Sequence, residues 1–371
     1  MAEPLISWYG EKIPKTIALM IQRVMPEFDS ALFLNEALDG YEDLSLMERG
    51  RHLADCLAGH LPDEYPKAVR IILEAISIET PEIYPGNRIS TFLYMPFTEY
   101  VSKFGLDHFD ESMLAQYELT KLFTAEFSIR PFIEKHEART LNQLREWTDD
   151  PNEHIRRLVS EGTRPRLPWG SRLKQFQKNP KPVIELLELL KDDESLYVRR
   201  SVANNLNDIG KDNPDILIAT AKRWIKDADE NRSWIVRHAL RSLIKKGNPD
   251  ALEILGYASG EDIKLISSQI TPKTVQLGDS VVVSFIIKNS SGKTQSVMID
   301  FRIHYVKANG SARPKVFKLS SKELKAGEET ELSKRVSLRE MTTRNHYPGE
   351  HKVDVILNGR IEKAGAFTLL E

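Results

Sequence analysis

The fold is decided by two similar stretches: residues 149–170, D-D-P-N-E-H-I-R-R-L-V-S-E-G-T-R-P-R-L-P-W-G, and residues 191–210, K-D-D-E-S-L-Y-V-R-R-S-V-A-N-N-L-N-D-I-G. In each, an acidic pair is followed by an amphipathic helix that carries an Arg-Arg pair. Residues 229–247 repeat the pattern a third time. Equivalent positions recur after 43 and then 38 residues, at Arg157, Arg200 and His238. A period of about 40 residues built from helix pairs predicts a HEAT-like α-solenoid.

The helical period also predicts which side chains face outward. Apolar residues form one stripe on each helix, and residues three or four apart share a face. Glu161, Asn204 and Ser242 form a second column beside the first. Arg157 and Glu161 should therefore project together, away from the apolar stripe. A ribbon of arginines suits a polyphosphate, but a solvated polar face is an equally good interpretation of the pattern alone.

Length and composition restrict the class of protein. A chain of 371 residues should hold two or three domains. Cys56 is the only cysteine, which excludes an intramolecular disulfide and a cysteine metal cluster. Neither an apolar run long enough to span a membrane nor a signal peptide is evident. We expect a cytoplasmic monomer that does not associate with membranes.

The net charge of −2 conceals an uneven distribution along the chain. Residues 1–129 contain 10 basic and 21 acidic residues, whereas residues 130–246 contain 24 and 18. Residues 247–371 contain 18 and 15. The repeats are therefore basic beside an acidic N-terminal region, and local charge shapes the field that a phosphate backbone meets.

One carboxylate outside the repeats lies in an apolar setting. Glu126 stands between Phe123 and Phe127, shortly before Pro131, which should end or kink a helix near Arg130. Burying a carboxylate alone is expensive, so Glu126 should be paired or functional. An i, i+4 ion pair with Arg130 is the structural interpretation.

From residue 263 the apolar period changes from helical to alternating. Seven short strands are separated by turn sequences such as Asn309-Gly310 and Pro348-Gly349. This pattern predicts an immunoglobulin-like β-sandwich. The predicted domains are 1–258, the HEAT-like repeats, and 259–371, the sandwich.

The repeat motifs resemble the AlkC branch of the HEAT-like alkylpurine DNA glycosylases. The resemblance is carried by H-I-R-R-L-V-S-E-G-T-R-P-R-L-P-W-G, Y-V-R-R-S-V-A-N-N-L-N-D-I and W-I-V-R-H-A-L-R. It covers the helical region, and some members carry an immunoglobulin-like tail. It implies hydrolysis of the N-glycosidic bond of cationic bases, such as 3-methyladenine and 3-methylcytosine, in double-stranded DNA.

The residues suit that chemistry. An N3-methylated base is already a cation and a good leaving group, so the protein must stabilise the growing charge on the deoxyribose and position a water. Carboxylates can do both. The expected catalytic residues are Glu161, Glu126, Trp169 and Asp208. The expected DNA-binding residues are Arg157, Arg200, Arg164, Arg166 and His238. We expect no metal or other cofactor, since the zinc and nucleotide motifs H-E-x-x-H and G-x-x-x-x-G-K-[ST] do not occur.

The sequence is compatible with a second function and with two roles for the sandwich. The alternative function is a non-catalytic HEAT-repeat scaffold that binds nucleic acid or protein, although carboxylates among the arginines would weaken a pure phosphate clamp. The sandwich carries basic turns at 307–315 and 344–346 and could close over the DNA and reach its minor groove through a loop, or serve only as a stabilising appendage.

Overall fold

The computed structural model describes residues 5–78, 88–257, 260–339 and 345–370. The chain falls into two units. The first comprises Met1–Asn213 and Asp229–Ala239, and the second comprises Pro214–Ala228 and Leu240–Glu371. Within the described ranges, no helix is both long enough and apolar enough to cross a bilayer.

The first unit is entirely helical in its described part. Twelve α-helices lie wholly within it: α1 Lys12–Val24, α2 Ser30–Leu38, α3 Leu46–His60, α4 Tyr65–Ser77, α5 Met95–Phe104, α6 Phe109–Leu122, α7 Ile129–Lys135, α8 Glu137–Glu146, α9 Glu153–Gly162, α10 Lys174–Lys178, α11 Lys181–Leu190 and α12 Leu196–Asp212. A further helix, α14 (Glu230–Lys245), begins in this unit and ends in the second.

The predicted helical repeats are confirmed. Helix α9 packs against α12, and the apolar stripes of both are buried. Each of these helices starts at a polar cap, as short polar side chains favour. Asn152 accepts a 2.9 Å hydrogen bond from the amide of His154, and Ser195 accepts one of 3.2 Å from the amide of Tyr197. The acidic pairs seen in the sequence therefore precede real helix starts.

The prediction that Pro131 ends or kinks a helix is wrong. Helix α6 already ends at Leu122, and α7 begins at Ile129, so Pro131 lies in the first turn of a new helix. A proline is tolerated there because the first backbone N–H groups of a helix have no intrahelical partner.

The second unit combines the last helices with the sandwich. Its helices are α13 Pro214–Trp224, the end of α14, and α15 Pro249–Ile254. Its strands are β1 Ile263–Thr271, β2 Thr274–Val275, β3 Ser280–Asn289, β4 Gln295–Val306, β5 Ala312–Leu324, β6 Glu329–Ser337, β7 Gly349–Leu357 and β8 Arg360–Leu369. The helical end of the chain and the sandwich thus belong to one unit. The domain boundary after residue 258 stays a prediction from the change of period.

The predicted immunoglobulin-like sandwich is confirmed. One sheet has the order β1-β3-β6 and the other the order β2-β8-β7-β4-β5. The seven predicted strands are all present, and the short β2 adds an eighth in the described residues by pairing parallel to β8. Alternate side chains of β3, β4 and β7 point into one shared apolar core.

Two glycine-containing turns meet within the second unit. The β7–β8 hairpin turns at Asn358-Gly359, both with positive φ, as a two-residue turn requires. Gly247 follows α14 and also has positive φ. A Cβ built on Gly247 would lie 2.7 Å from the Cα of Gly359. The two backbones can approach this closely only because neither residue has a side chain.

Candidate active site

Arg157 lies between two carboxylates in the first unit. Its Nη1 is 2.7 Å from Oε2 of Glu126, and its Nη2 is 3.6 Å from Oε1 of Glu161. Glu161 is one helical turn further along α9, whereas Glu126 comes from the turn before α7. Burial lowers the pKa of Arg157, but the two carboxylates outweigh it and hold the pKa above its ordinary value.

A second arginine extends the pairing to α12. Arg164, in the loop after α9, is buried; its Nη1 donates to Oε1 of Glu161 at 2.6 Å and its Nε donates to Oδ2 of Asp208 at 2.8 Å. Lys211 then approaches the other oxygen of Asp208 at 2.7 Å. Burial lowers the pKa of Arg164, and its two carboxylate partners raise it by more. The guanidinium therefore stays charged between them.

These contacts form one ion-pair cluster in which acids and bases alternate: Glu126, Arg157, Glu161, Arg164, Asp208 and Lys211. Lys211 is the most exposed member, with 42% of its side chain accessible. The five inner groups carry three negative and two positive charges, so the inner cluster has a net charge of −1. In the described residues, no group of His, Cys, Asp and Glu is arranged to hold a metal ion.

A chain of hydroxyl groups holds the remaining oxygen of Glu161. Ser201 of α12 donates to Oε2 of Glu161 at 2.6 Å, and Ser160 donates to the hydroxyl of Ser201 at 2.7 Å. The amide of Asn205 supports the same region by donating to the carbonyl of Ser160 at 2.7 Å. Both oxygens of the Glu161 carboxylate are therefore bound by protein groups, which fixes its orientation.

Aromatic rings border the cluster. The guanidinium carbon of Arg157 lies 4.9 Å from the centre of the Tyr197 ring, within range of a cation–π interaction. The ring of His154 meets Tyr197 edge to face at 5.5 Å. Burial raises the pKa of Tyr197, so its hydroxyl stays neutral. Tyr197 therefore packs against Arg157 and remains partly exposed.

Trp169 differs from every other tryptophan that the structure describes. Its side chain is 73% exposed, and its backbone has φ of +65°, a region that bulky residues rarely adopt. The neighbouring Leu167 is buried and anchors the loop. The fold thus holds an exposed indole on a strained backbone, and strained residues of this kind cluster at active sites and ligand-binding sites.

The predicted DNA-binding residues are in different environments. Arg200 is exposed and makes no ion pair or hydrogen bond within the described part of the chain. Arg166 forms two hydrogen bonds to Asp212, one of them 2.7 Å long. His238 stacks on Trp234 with ring centres 4.9 Å apart. Arg164 is enclosed between two carboxylates, a position that does not favour a phosphate contact.

Two further expectations need correction. Glu126 does not pair with Arg130; it pairs with Arg157, while Arg130 donates to backbone carbonyls. Glu161 does not project into solvent but is buried at the edge of the apolar stripe, because it faces Ser201 on the neighbouring helix. Sequence reasoning missed Ser201 altogether, since no column of the repeat marks it.

Two separate parts of the chain match known families. Residues 123–243 match the family described as "DNA alkylation repair enzyme", and the match includes the whole ion-pair cluster. Residues 264–371 match the family described as "Uncharacterised protein YhaZ, C-terminal Ig-like domain". These ranges agree with the helical repeats and the sandwich, respectively.

Two whole-length relatives carry the assignment. "Uncharacterized protein YhaZ" of Bacillus subtilis (strain 168) is 37% identical over 355 residues, which is 95% of this chain and 96% of the relative. The structure of "Pseudomonas fluorescens alkylpurine DNA glycosylase AlkC bound to DNA containing an abasic site analog" superimposes with a TM-score of 0.89 at 37% identity and full coverage of both chains. The chain belongs to the AlkC-type family of DNA alkylation repair proteins, with HEAT-like repeats and a C-terminal immunoglobulin-like domain.

Proposed function

We propose that this protein is a DNA glycosylase that hydrolyses the N-glycosidic bond of cationic alkylated bases, such as 3-methyladenine and 3-methylcytosine, in duplex DNA. The observation that carries the proposal is the ion-pair cluster, in which three carboxylates are held in place by two arginines. Family membership supports the reaction class, and the cluster supports the chemistry.

The charge of the five inner groups of the cluster favours stabilising a cation over binding a phosphate. A phosphate clamp needs surplus positive charge, whereas the five inner groups sum to −1. An alkylated base leaves without being protonated, and positive charge then develops on the deoxyribose. Carboxylates fixed beforehand stabilise that charge without having to reorganise during the reaction.

The carboxylates differ in their access to the substrate. Glu126 and Glu161 retain some side-chain exposure, 13% and 8%, respectively. We assign them the catalytic roles: stabilising the sugar cation and orienting the attacking water. Asp208 is only 1% exposed and contacts Arg164 and Lys211. It is therefore a positioning residue that acts on Glu161 through Arg164.

The aromatic and basic groups supply binding. The exposed face of Trp169 can lie against the deoxyribose, where its electron-rich surface attracts a developing cation. Arg200, which is exposed and unpaired among the described residues, is the best candidate for a phosphate contact. Arg157 sits between its two carboxylates and serves mainly to orient them.

The sandwich offers a second DNA contact. The β4–β5 hairpin exposes Lys307 at its turn and Arg313 at the start of β5. We propose that this hairpin binds the phosphate backbone and helps to bend the duplex, since bending needs extra contacts to offset its energetic cost. Arg344, in the other predicted basic turn, lies outside the described residues.

The test is release of free base from methylated DNA. Purified protein in EDTA should release 3-methyladenine and 3-methylcytosine from defined duplexes and leave alkali-labile abasic sites. Glu161→Gln removes the negative charge while keeping the size, so single-turnover excision should fall by about 10²-fold while duplex affinity stays within about twofold. A folded wild-type protein that binds duplex DNA but releases no base would favour the scaffold alternative.

A further inference from the structure

One buried arginine remains outside the mechanism described so far. Arg130, the second residue of α7, is 1% exposed. Its Nη1 donates to the carbonyls of Gly162 and Arg164 at 2.8 and 2.9 Å, and its Nη2 donates to the carbonyl of Ser171. Residues 163–171 connect α9 with the segment that leads to α10. A single guanidinium therefore binds both ends of the loop that carries Trp169.

The first two carbonyls belong to the C-terminal end of α9 and the residues directly after it. The last carbonyls of a helix have no intrahelical partner and carry partial negative charge, so they suit a cation. The same backbone segment carries Glu161 and Arg164. By binding it, Arg130 connects the ion-pair cluster to the loop that presents the indole.

Other contacts also hold the loop. Arg166 is bound to Asp212, Leu167 is buried, and a Cβ built on Gly170 would lie 3.4 Å from Nε of Arg130 and 3.2 Å from Cδ2 of Leu167. Gly170 therefore lies beside the guanidinium, and Leu167 leaves little room there for a side chain. Trp169, between these anchors, is exposed together with Pro168, and the backbone of Trp169 is strained.

A buried arginine is expensive, and burial lowers the pKa of Arg130 to about 10. An apolar residue could fill the same space without that cost. An apolar residue could not donate hydrogen bonds to three carbonyls. The guanidinium can, because it has five N–H donors in a fixed fork.

We infer that Arg130 is a positioning residue that holds the Trp169 loop in its exposed, left-handed form before DNA arrives, at a fixed distance from Glu161. The inference rests on the proposed glycosylase function for its kinetic consequence. Its structural consequence, a preformed indole, is independent of catalysis.

The experiment combines Arg130→Lys with Trp169→Ala in full-length protein. A lysine keeps the charge but cannot reach three carbonyls. Single-turnover excision at saturating enzyme should fall by about tenfold in Arg130→Lys, with duplex affinity changed less than about threefold, because the phosphate contacts lie elsewhere. When Arg130→Lys is added to Trp169→Ala, the excision rate should fall little further, because both substitutions disable the same function, the presentation of the indole. Arg139→Lys, at an exposed arginine of α8, is the matched control.

A second readout needs no catalysis. The measurement is fluorine NMR of protein labelled with 5-fluorotryptophan. The resonance that is missing from the spectrum of Trp169→Phe belongs to Trp169. It should be a single narrow line in DNA-free wild-type protein and should broaden or split in Arg130→Lys. If no base is released by any variant, this spectrum still decides the role of Arg130.

Should Arg130→Lys fail to fold, Gly170→Ala tests the same contact from the loop side, because its Cβ would crowd Leu167 at 3.2 Å and lie in contact with Nε of Arg130 at 3.4 Å. We expect a smaller rate loss, about threefold, again absent in the Trp169→Ala background. A folded Arg130→Lys with wild-type rate and an unchanged Trp169 resonance would overturn the inference. The inference would also be overturned if the loss of excision rate in the double variant equalled the product of the losses in Arg130→Lys and Trp169→Ala.

Discussion

Ser201 donates a 2.6 Å hydrogen bond to Oε2 of Glu161 from the adjacent repeat, 40 residues along the chain. The serine receives a hydrogen bond from Ser160 in turn, so the carboxylate of Glu161 is held by a short hydroxyl chain that crosses between two helices. The helix pairing of the repeats is therefore what orients Glu161, in addition to the arginines around it.

Ser201→Ala should lower single-turnover excision by about three- to tenfold and lower the free energy of unfolding by about 1 kcal/mol, since it removes a buried hydrogen bond. Ser201→Thr keeps the hydroxyl and is the matched control for the rate. Rates measured on a duplex with one 3-methylcytosine, together with urea unfolding, check both effects. A wild-type rate for Ser201→Ala would show that Arg164 alone suffices to orient the carboxylate.

Arg200→Ala should weaken binding to any duplex and lower the slope of log affinity against log salt by about 1, because one phosphate contact is lost. The measurement is fluorescence anisotropy of a labelled undamaged duplex between about 50 and 300 mM salt, a range in which binding changes strongly with salt. An unchanged slope would mean that this exposed arginine is only solvated.

Arg157→Ala should behave differently from Arg200→Ala. Removing this guanidinium leaves Glu126 and Glu161 facing each other without their shared partner, at a largely buried site. We expect the free energy of unfolding to fall by about 3 kcal/mol and excision to be lost, with little change in the salt slope. A drop in the slope equal to that of Arg200→Ala would instead assign Arg157 to the phosphate backbone.

The sandwich hairpin gives a separate prediction about DNA binding. Replacing both Lys307 and Arg313 by Gln should lower the salt slope by about 2 and slow excision without affecting folding, because both side chains are exposed. Lys325→Gln, in the exposed β5–β6 turn, is the matched control and should leave the slope unchanged. Equal slopes for the double variant and the control would remove the hairpin from the DNA interface.

His351 predicts a pH dependence of stability in the second unit. Burial against Phe367 and Tyr305 lowers its pKa below the ordinary value of about 6.5. The unfolded chain therefore binds more protons than the folded one just below that pH. Stability is fully present above about pH 6.5 and is lost as pH falls through the window down to the lower folded pKa. Urea unfolding from pH 8 to pH 5 should show a steeper decline for wild type than for His351→Phe.

The repeat architecture could be predicted because it depends on the period of apolar residues, which the sequence displays directly. The stripes of α9 and α12 and the alternation in β3 and β4 predicted the correct element types. The start of α7 at Ile129 could not be predicted from the sequence, because a proline such as Pro131 is compatible with both the end of one helix and the first turn of another.

The site residues could be named, but their pairing could not. Arg164 and Asp208 are 44 residues apart, and no periodic signal connects a loop arginine with an aspartate in the next repeat. Glu161 and Leu158 are three positions apart on one helix, so Glu161 lies at the border of the buried stripe, where charge alone suggests solvent. Glu161 is buried because Ser201 of the neighbouring helix donates a hydrogen bond to its carboxylate.

The meeting of Gly247 and Gly359 restricts how the repeat array can change in length. Repeat proteins grow by duplicating units, and each new end needs a capping surface. Here a Cβ on Gly359 would lie 2.5 Å from the Cα of Gly247. The β7–β8 hairpin therefore fits only against a helix end that has no side chain at that point. A helix pair duplicated after α14 would have to present another such glycine before the hairpin could seat on it. An insertion upstream of α13 would leave the contact between Gly247 and Gly359 unchanged.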